Sequence, residues 1–150
     1  MKVYTLRRTQ FIARPIDDVF RFFSMPENLV KITPKSLSFT ILTPKPIDME
    51  KGTLIDYTIS LMGLPVHWRT LISDYNPPHS FIDQQIKGPY AFWHHTHTFI
   101  EQDGGTEIID EVLYSIPFWF LGRIVNTLWI KSELKKIFDY RKDIIEQELC

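Results

Sequence analysis

The feature that most restricts how this chain can fold is a helical repeat in its last third, Ile116 to Cys150. From Phe120 onward, residues able to bury a stem recur three and four positions apart: Phe120, Arg123/Ile124, Thr127, Ile130, Leu134, Ile137/Phe138, Arg141 and Ile145. That spacing marks one face of an α-helix, sustained for about eight turns. A helix so far above the usual length needs a large partner surface. The preceding two-thirds supplies one, because it reads as strands with period-two alternation. One long amphipathic helix behind an antiparallel run implies an α+β fold with a sheet curved around the helix.

Length and composition bound the rest. A chain of 150 residues with 44% apolar content forms one domain, residues 1–150, able to bury a real core. Net charge is −1 with scattered basic residues, so no electrostatic footprint for nucleic acid exists. Aromatic residues reach 14%, which suits a roomy, aromatic-lined interior. The single cysteine, Cys150, allows neither a disulfide framework nor a thiolate zinc motif. The first eight residues carry charge where a signal peptide needs an apolar run, and Ile116 to Leu121 is too short to span a bilayer. The expectation is a soluble, cytoplasmic protein without stable membrane insertion.

In chain order, Val3 to Ala13 reads as a first strand ended by Arg14-Pro15. Pro15 suits the first position of a helix in which Ile16, Val19, Phe20 and Phe23 share a face. Ser24-Met25-Pro26-Glu27 has capping-box form and predicts a second short helix over Glu27 to Lys31, ended by Thr33-Pro34. Leu37, Phe39 and Ile41 alternate as a second strand up to Pro44. A third strand from Gly52 places Ile55, Tyr57, Ile59 and Leu61 on one face, and Met62 to Pro65 forms a turn. A fourth, Val66 to Asp74, carries Trp68, Thr70 and Ile72 together. Asn76-Pro77-Pro78 leads into a fifth, Ser80 to Gln85. Tyr90 to Glu101 and Thr106 to Ser115 are the sixth and seventh, followed by the long helix.

The last hairpin fixes a register. If Asp103-Gly104 is a two-residue turn of the primed type, Gln102 pairs with Gly105. Phe99 then opposes Ile108, His97 opposes Asp110, His95 opposes Val112 and Trp93 opposes Tyr114, all on one face. A slip of one residue would move a whole set to the other face.

The order of elements and several short motifs together resemble the helix-grip superfamily of birch-pollen-allergen proteins, START-type lipid-transfer domains and polyketide cyclases (SRPBCC). The matching pieces are Ala13-Arg14-Pro15, Pro26-Glu27-Asn28-Leu29 with Thr33-Pro34, and Pro77-Pro78 followed by Phe81, Asp83 and Gln85. Gly88-Pro89-Tyr90, then Trp93, His95, His97 and Phe99, then Asp110, Tyr114 and Pro117-Phe118 complete the set. The chain is most similar to the small bacterial ligand-binding or cyclase/dehydrase branch. The resemblance implies seven antiparallel strands gripping the C-terminal helix around an apolar cavity. It names no ligand, because one fold hosts many functions.

The expected occupant is a hydrophobic small molecule: a lipid, an isoprenoid or a polyketide-like aromatic. The expected lining comprises Tyr57, Ile59, Trp68, Phe81, Trp93, His95, His97, Phe99, Asp110, Val112 and Tyr114 from the sheet, with Ile130, Leu134 and Phe138 from the helix. The alternative is a cyclase/aromatase or dehydratase working in the same cavity, with His95, His97, Asp110 and Tyr114 as catalytic candidates, since His beside a carboxylate can act as general base. A third class is a partner-binding domain whose core is simply full. His95, His97, Asp110 and His67 could together ligate a metal. Without cysteine or a Glu at helical His spacing, the simpler expectation is a hydrogen-bonded His97–Asp110 pair, with His94 in solvent and neither metal nor cofactor. Arg141 interrupts the helix stripe and is expected to pair with Asp83 or Asp110.

Phe118, Leu121, Val125, Leu128 and Trp129 form a second apolar face at the start of the helix. Coverage by the Pro44–Gly52 loop and the early helices, a homodimer surface, and a transient membrane contact at the cavity mouth are three ways to use it.

Overall fold

A computed structural model describes residues 2–61, 63–118, 124 and 126–149. The alternation resolves into β1 (Tyr4–Ile12), β2 (Thr40–Ile41), β3 (Leu54–Leu61), β4 (Leu64–Asn76), β5 (Ser80–Lys87), β6 (Phe92–Gln102) and β7 (Gly105–Ser115). These pair antiparallel in one sheet of order β1-β7-β6-β5-β4-β3-β2. β1 and β2 are thus opposite edges. The segment joining them carries α1 (Ile16–Phe23) and α2 (Pro26–Lys31) from one edge to the other.

Local chemistry accounts for the joins. Pro15 precedes α1, which buries Ile16, Val19 and Phe20 at helical spacing. Ser24 does not cap α2 as its spacing suggests. Its hydroxyl donates back to the Phe20 carbonyl at 2.9 Å, closing α1, while Met25 precedes Pro26 without a side-chain cap. The second strand shrinks to Thr40–Ile41, because Lys35–Leu37 winds into a 3₁₀ turn.

The last hairpin has the expected register, with Gln102 against Gly105, Phe99 against Ile108, His97 against Asp110 and Trp93 against Tyr114. The turn type differs. Gly104 has φ +83° whereas Asp103 does not lie at positive φ, so the turn follows type II rather than a primed type. The β4–β5 pairing shifts register twice, at Arg69/Thr70 and Ile72/Asp74, and such irregularities increase local strand twist and bending.

The C-terminal helix α3 (Lys131–Leu149) buries Leu134, Phe138, Arg141, Ile145 and Leu149 against the sheet. Arg8 on β1 holds it through Asp139 at 2.8 Å, and Gln10 donates to the Lys142 carbonyl at 3.0 Å. Its start departs from an uninterrupted stripe. Asn126–Ile130 is a π-helical turn. The extra residue per turn shifts the phase, so Asn126 is buried while Ile124 is exposed. The Tyr114 hydroxyl donates to Asn126 Oδ1 at 2.8 Å and anchors this turn. Phe118, Leu128 and Trp129 are exposed, so neither the early helices nor the Pro44–Gly52 loop covers them. Met62, Phe120, Leu121, Arg123, Val125, Cys150 and the side chain of Thr127 lie outside the described residues.

Apolar packing falls into three clusters. One joins α1 and the end of α3 to Phe81, Phe99 and Ile108. A second joins Val112 and Tyr114 to Leu134 and Phe138. The third surrounds Ile55, Tyr57 and Trp68 on β3 and β4. The space among them is the candidate site. No described helix is long and apolar enough to cross a membrane.

Candidate ligand-binding cavity

The inward faces of β3 to β6, the start of α2 and one side of α3 enclose a cavity of about 200 Å³. Strand alternation aims Tyr57 and Ile59 (β3), Trp68 (β4), Phe81 (β5), Trp93, His95 and His97 (β6) into it, and α3 adds Leu134 and Phe138. These are nine of the residues expected from sequence.

Five others do not line it. Phe99 is buried in the cluster under α1, where it meets Phe20 and Phe23 at 5.2 and 5.5 Å. Val112 and Tyr114 pack with Leu134 and Phe138, and Ile130 packs against that cluster. Asp110 stands behind the histidines. The physical reason is that Tyr4 stacks on Tyr114 at 5.4 Å and fills the β7 side, which pushes the void toward β3 and β4. Among the described residues of 116–130, Trp129 included, none lines the cavity. Half-exposed Met25, with Leu29 and Leu37, places the opening beside α2.

Sequence reasoning missed the contribution of the β1–β2 connection, Phe22, Phe23, Met25, Leu29 and Ile32, and of Met49 in the β2–β3 connection. A signal was present, because Phe22-Phe23 and Leu29 give these short helices more apolar surface than one packing stripe uses. Tyr90 and Thr70 were likewise missed. Thr70 accepts or donates to the Tyr57 hydroxyl at 3.3 Å. Burial pushes the Tyr57 and Tyr90 phenols upward, so both are neutral.

One wall is polar. Asp83, His95, His97 and Asp110 form a closed square of alternating carboxylates and imidazoles. His95 Nε2 lies 2.8 Å from Asp110 Oδ1, and His97 Nε2 lies 2.5 Å from Asp83 Oδ2. The remaining edges are longer, 3.4 Å from His97 Nδ1 to Asp110 and 3.6 Å from His95 Nδ1 to Asp83. In register, Asp110 opposes His97 and Asp83 opposes His95. The hydrogen bonds therefore run diagonally, because an imidazole's far nitrogen overshoots the directly opposed residue. The His97–Asp110 hydrogen bond expected from sequence is replaced by His95–Asp110 and His97–Asp83. The two rings stack at 3.7 Å, and Phe81 stacks on His97 at 4.1 Å.

Electrostatics fixes the charge states. Burial, and then the neighbouring His95, push His97 down to about 4 despite Asp83. Burial raises the Asp110 carboxyl, but Arg141 and the His95 hydrogen bond outweigh it and hold the group below its ordinary value. Asp83 behaves alike: burial opposes ionisation, and His95, His97 and Arg141 overcome it. Both carboxylates are ionised at neutral pH. Arg141 acts on them without the expected ion pair, since no described carboxylate lies within 4.0 Å of it. Its guanidinium sits 5.5 Å from the Phe138 ring and 5.7 Å from the Phe23 ring.

Other candidates fall away. Tyr114 is committed to Asn126 and does not reach the cavity. His67 pairs with Asp56 at 2.7 Å on the opposite face of the sheet. His94 is half-buried and stacked on Phe92 rather than free in solvent. Donor atoms of Asp83, His95 and His97 all lie within 4.8 Å of one another, close enough to hold a cation. The positive Arg141 beside them opposes one.

The whole architecture recurs in solved structures. An aromatase/cyclase, ZhuI, from a Streptomyces species superposes with TM-score 0.77 at 12% identity, covering 99% of this chain and 94% of its own. A protein from Thermus thermophilus gives 0.76 at 15% identity, with 97% of both chains covered. This chain has the helix-grip fold. A major latex-like protein from Panax ginseng adds a third helix-grip neighbour, with TM-score 0.71 at 11% identity over 98% of this chain and 97% of that one. No protein-family model and no curated protein sequence matches the chain.

Proposed function

We propose that this helix-grip domain binds a hydrophobic small molecule in the cavity between sheet and α3, as a carrier or sensor rather than by transforming it. The single observation that supports this most is the void itself. It is flanked by three packed clusters yet left unfilled, and its wall is mostly aromatic and aliphatic. Well-packed interiors leave few voids larger than water, so an apolar space of this size calls for an occupant. At about 200 Å³ it lies below the usual 300–1,000 Å³ of drug-sized ligand sites, which favours a compact guest.

Native mass spectrometry of freshly purified protein, followed by solvent extraction, tests the reading. A one-to-one adduct that is absent from Ile59→Trp, in which an indole fills the void, is the expected result. Adduct-free protein that also fails to take up any added apolar compound would sink it.

One observation favours a second reading, a cyclase- or dehydratase-type enzyme. The His97–Asp83 pair lines the cavity, and one helix-grip neighbour is named an aromatase/cyclase. Its test is turnover of a poly-β-keto substrate that vanishes in His97→Gln while ligand binding persists.

A further inference from the structure

Three residues lining the cavity carry a buried polar atom without a hydrogen-bond partner: Trp68 Nε1, Arg141 Nε and His97 Nδ1. Buried polar groups are paired with few exceptions, and each exception needs a physical reason. Trp68 Nε1 and Arg141 Nε can only donate. His97 Nε2 donates to Asp83, so the neutral ring keeps a lone pair at Nδ1. The two donors are separated along the wall by a chain of contacts, Trp68 to Trp93 at 5.3 Å, Trp93 to His95 at 6.3 Å and His95 to Phe138 at 5.9 Å. An entirely apolar guest would leave both unmet. An oxygen acceptor at either point would meet one of them.

Charge decides which kind of oxygen. Asp83 lines the cavity and Asp110 sits behind the histidines, both ionised, with Arg141 and His95 acting on both. A carboxylate entering beside this wall must leave water for cationic partners that Asp83 and Asp110 already engage. Desolvating an anion without a free counter-charge weakens binding more than about tenfold. A neutral carbonyl or hydroxyl avoids that penalty and still accepts a hydrogen bond.

We infer, on the ligand-binding reading above, that the cavity selects compact neutral amphiphiles carrying an accepting oxygen and discriminates against carboxylates: Trp68 Nε1 and Arg141 Nε offer protons to the oxygen, while Asp83 and Asp110 already neutralise Arg141. The guest class is an uncharged ketone, phenol or alcohol on an apolar frame, not a fatty-acid anion.

Titration calorimetry with three probes of one shape, naphthalene, 2-acetylnaphthalene and 2-naphthoate, separates the possibilities at neutral pH. The acetyl compound is expected to bind tightest, naphthalene about fivefold weaker for lack of a hydrogen bond, and naphthoate at least about tenfold weaker. Asp83→Asn, folding being checked by circular dichroism, is expected to narrow the gap between naphthoate and 2-acetylnaphthalene by at least about threefold. If that variant does not fold, the order in the unaltered protein decides alone. Naphthoate binding as tightly as the acetyl compound overturns the inference, as does naphthalene matching it. Failure of all three to bind removes the ligand-binding reading itself, and this inference with it.

Discussion

At the scale of single residues, the buried square of Asp83, His95, His97 and Asp110 makes stability depend on pH. His97 has its folded value lowered to about 4 from an ordinary 6.5, so between those values the unfolded chain binds a proton that the native protein refuses. Stability from this group is fully present above about 6.5 and is lost as pH falls toward 4, by on the order of 3 kcal/mol at the plateau. Asp83 and Asp110 are also lowered, so their contribution holds above their ordinary value of 3.8 and disappears as pH falls through their folded values. Urea midpoints measured from pH 7.5 to 3 are therefore expected to fall continuously on acidification. A flat profile between pH 7 and 4.5 would contradict the buried, neutral His97. Arg141→Met removes the guanidinium that acts on both carboxylates and is expected to destabilise by about 3 kcal/mol at neutral pH. The difference should narrow at acidic pH, as the pH falls below 3.8 and the two carboxylates begin to take up protons. An equal deficit at both pH values would mean that lost packing against Phe23 and Phe138 dominates instead.

At the scale of elements, the strands were legible in the sequence because alternation and turn residues are local. Asp103-Gly104 is enough to set the pairing of β6 with β7 even though the turn is of another type. The phase of the last helix was not legible, because a π-turn at Asn126–Ile130 depends on a tertiary hydrogen bond from Tyr114. Tyr114→Phe is expected to destabilise by about 1 kcal/mol, and Asn126→Ala by more, since it strands the Tyr114 hydroxyl. A double-mutant cycle by denaturant unfolding should show coupling between the two, and additive effects would exclude the hydrogen bond as the anchor. On the exposed side, Leu128 and Trp129 sit outside the three apolar clusters of the described residues. Replacing both by glutamine should change stability by less than about 0.5 kcal/mol per site. A large loss would show that this face is covered core.

At the scale of the whole molecule, the fold was readable from the order of elements, whereas the position of the void was not. Register correctly put Trp93, His95, His97, Tyr114 and Asp110 on one face, but a shared face does not say which members meet space and which meet a neighbour. Tyr4 stacking on Tyr114 closes one end, and the bend at the β4–β5 register shifts, with α2 lying across the opening, leaves the other end unfilled. Those are consequences of side-chain volume and sheet curvature, which period-two patterns do not encode. The central claim is that this space is a binding site for a compact apolar guest. Calorimetric titration of 2-acetylnaphthalene into the unaltered protein and into Ile59→Trp tests it most directly. The account expects saturable one-to-one binding that weakens at least about tenfold when the indole occupies the cavity, with the circular dichroism spectrum unchanged. Absence of saturable binding, or equal affinity in a folded Ile59→Trp, would contradict it.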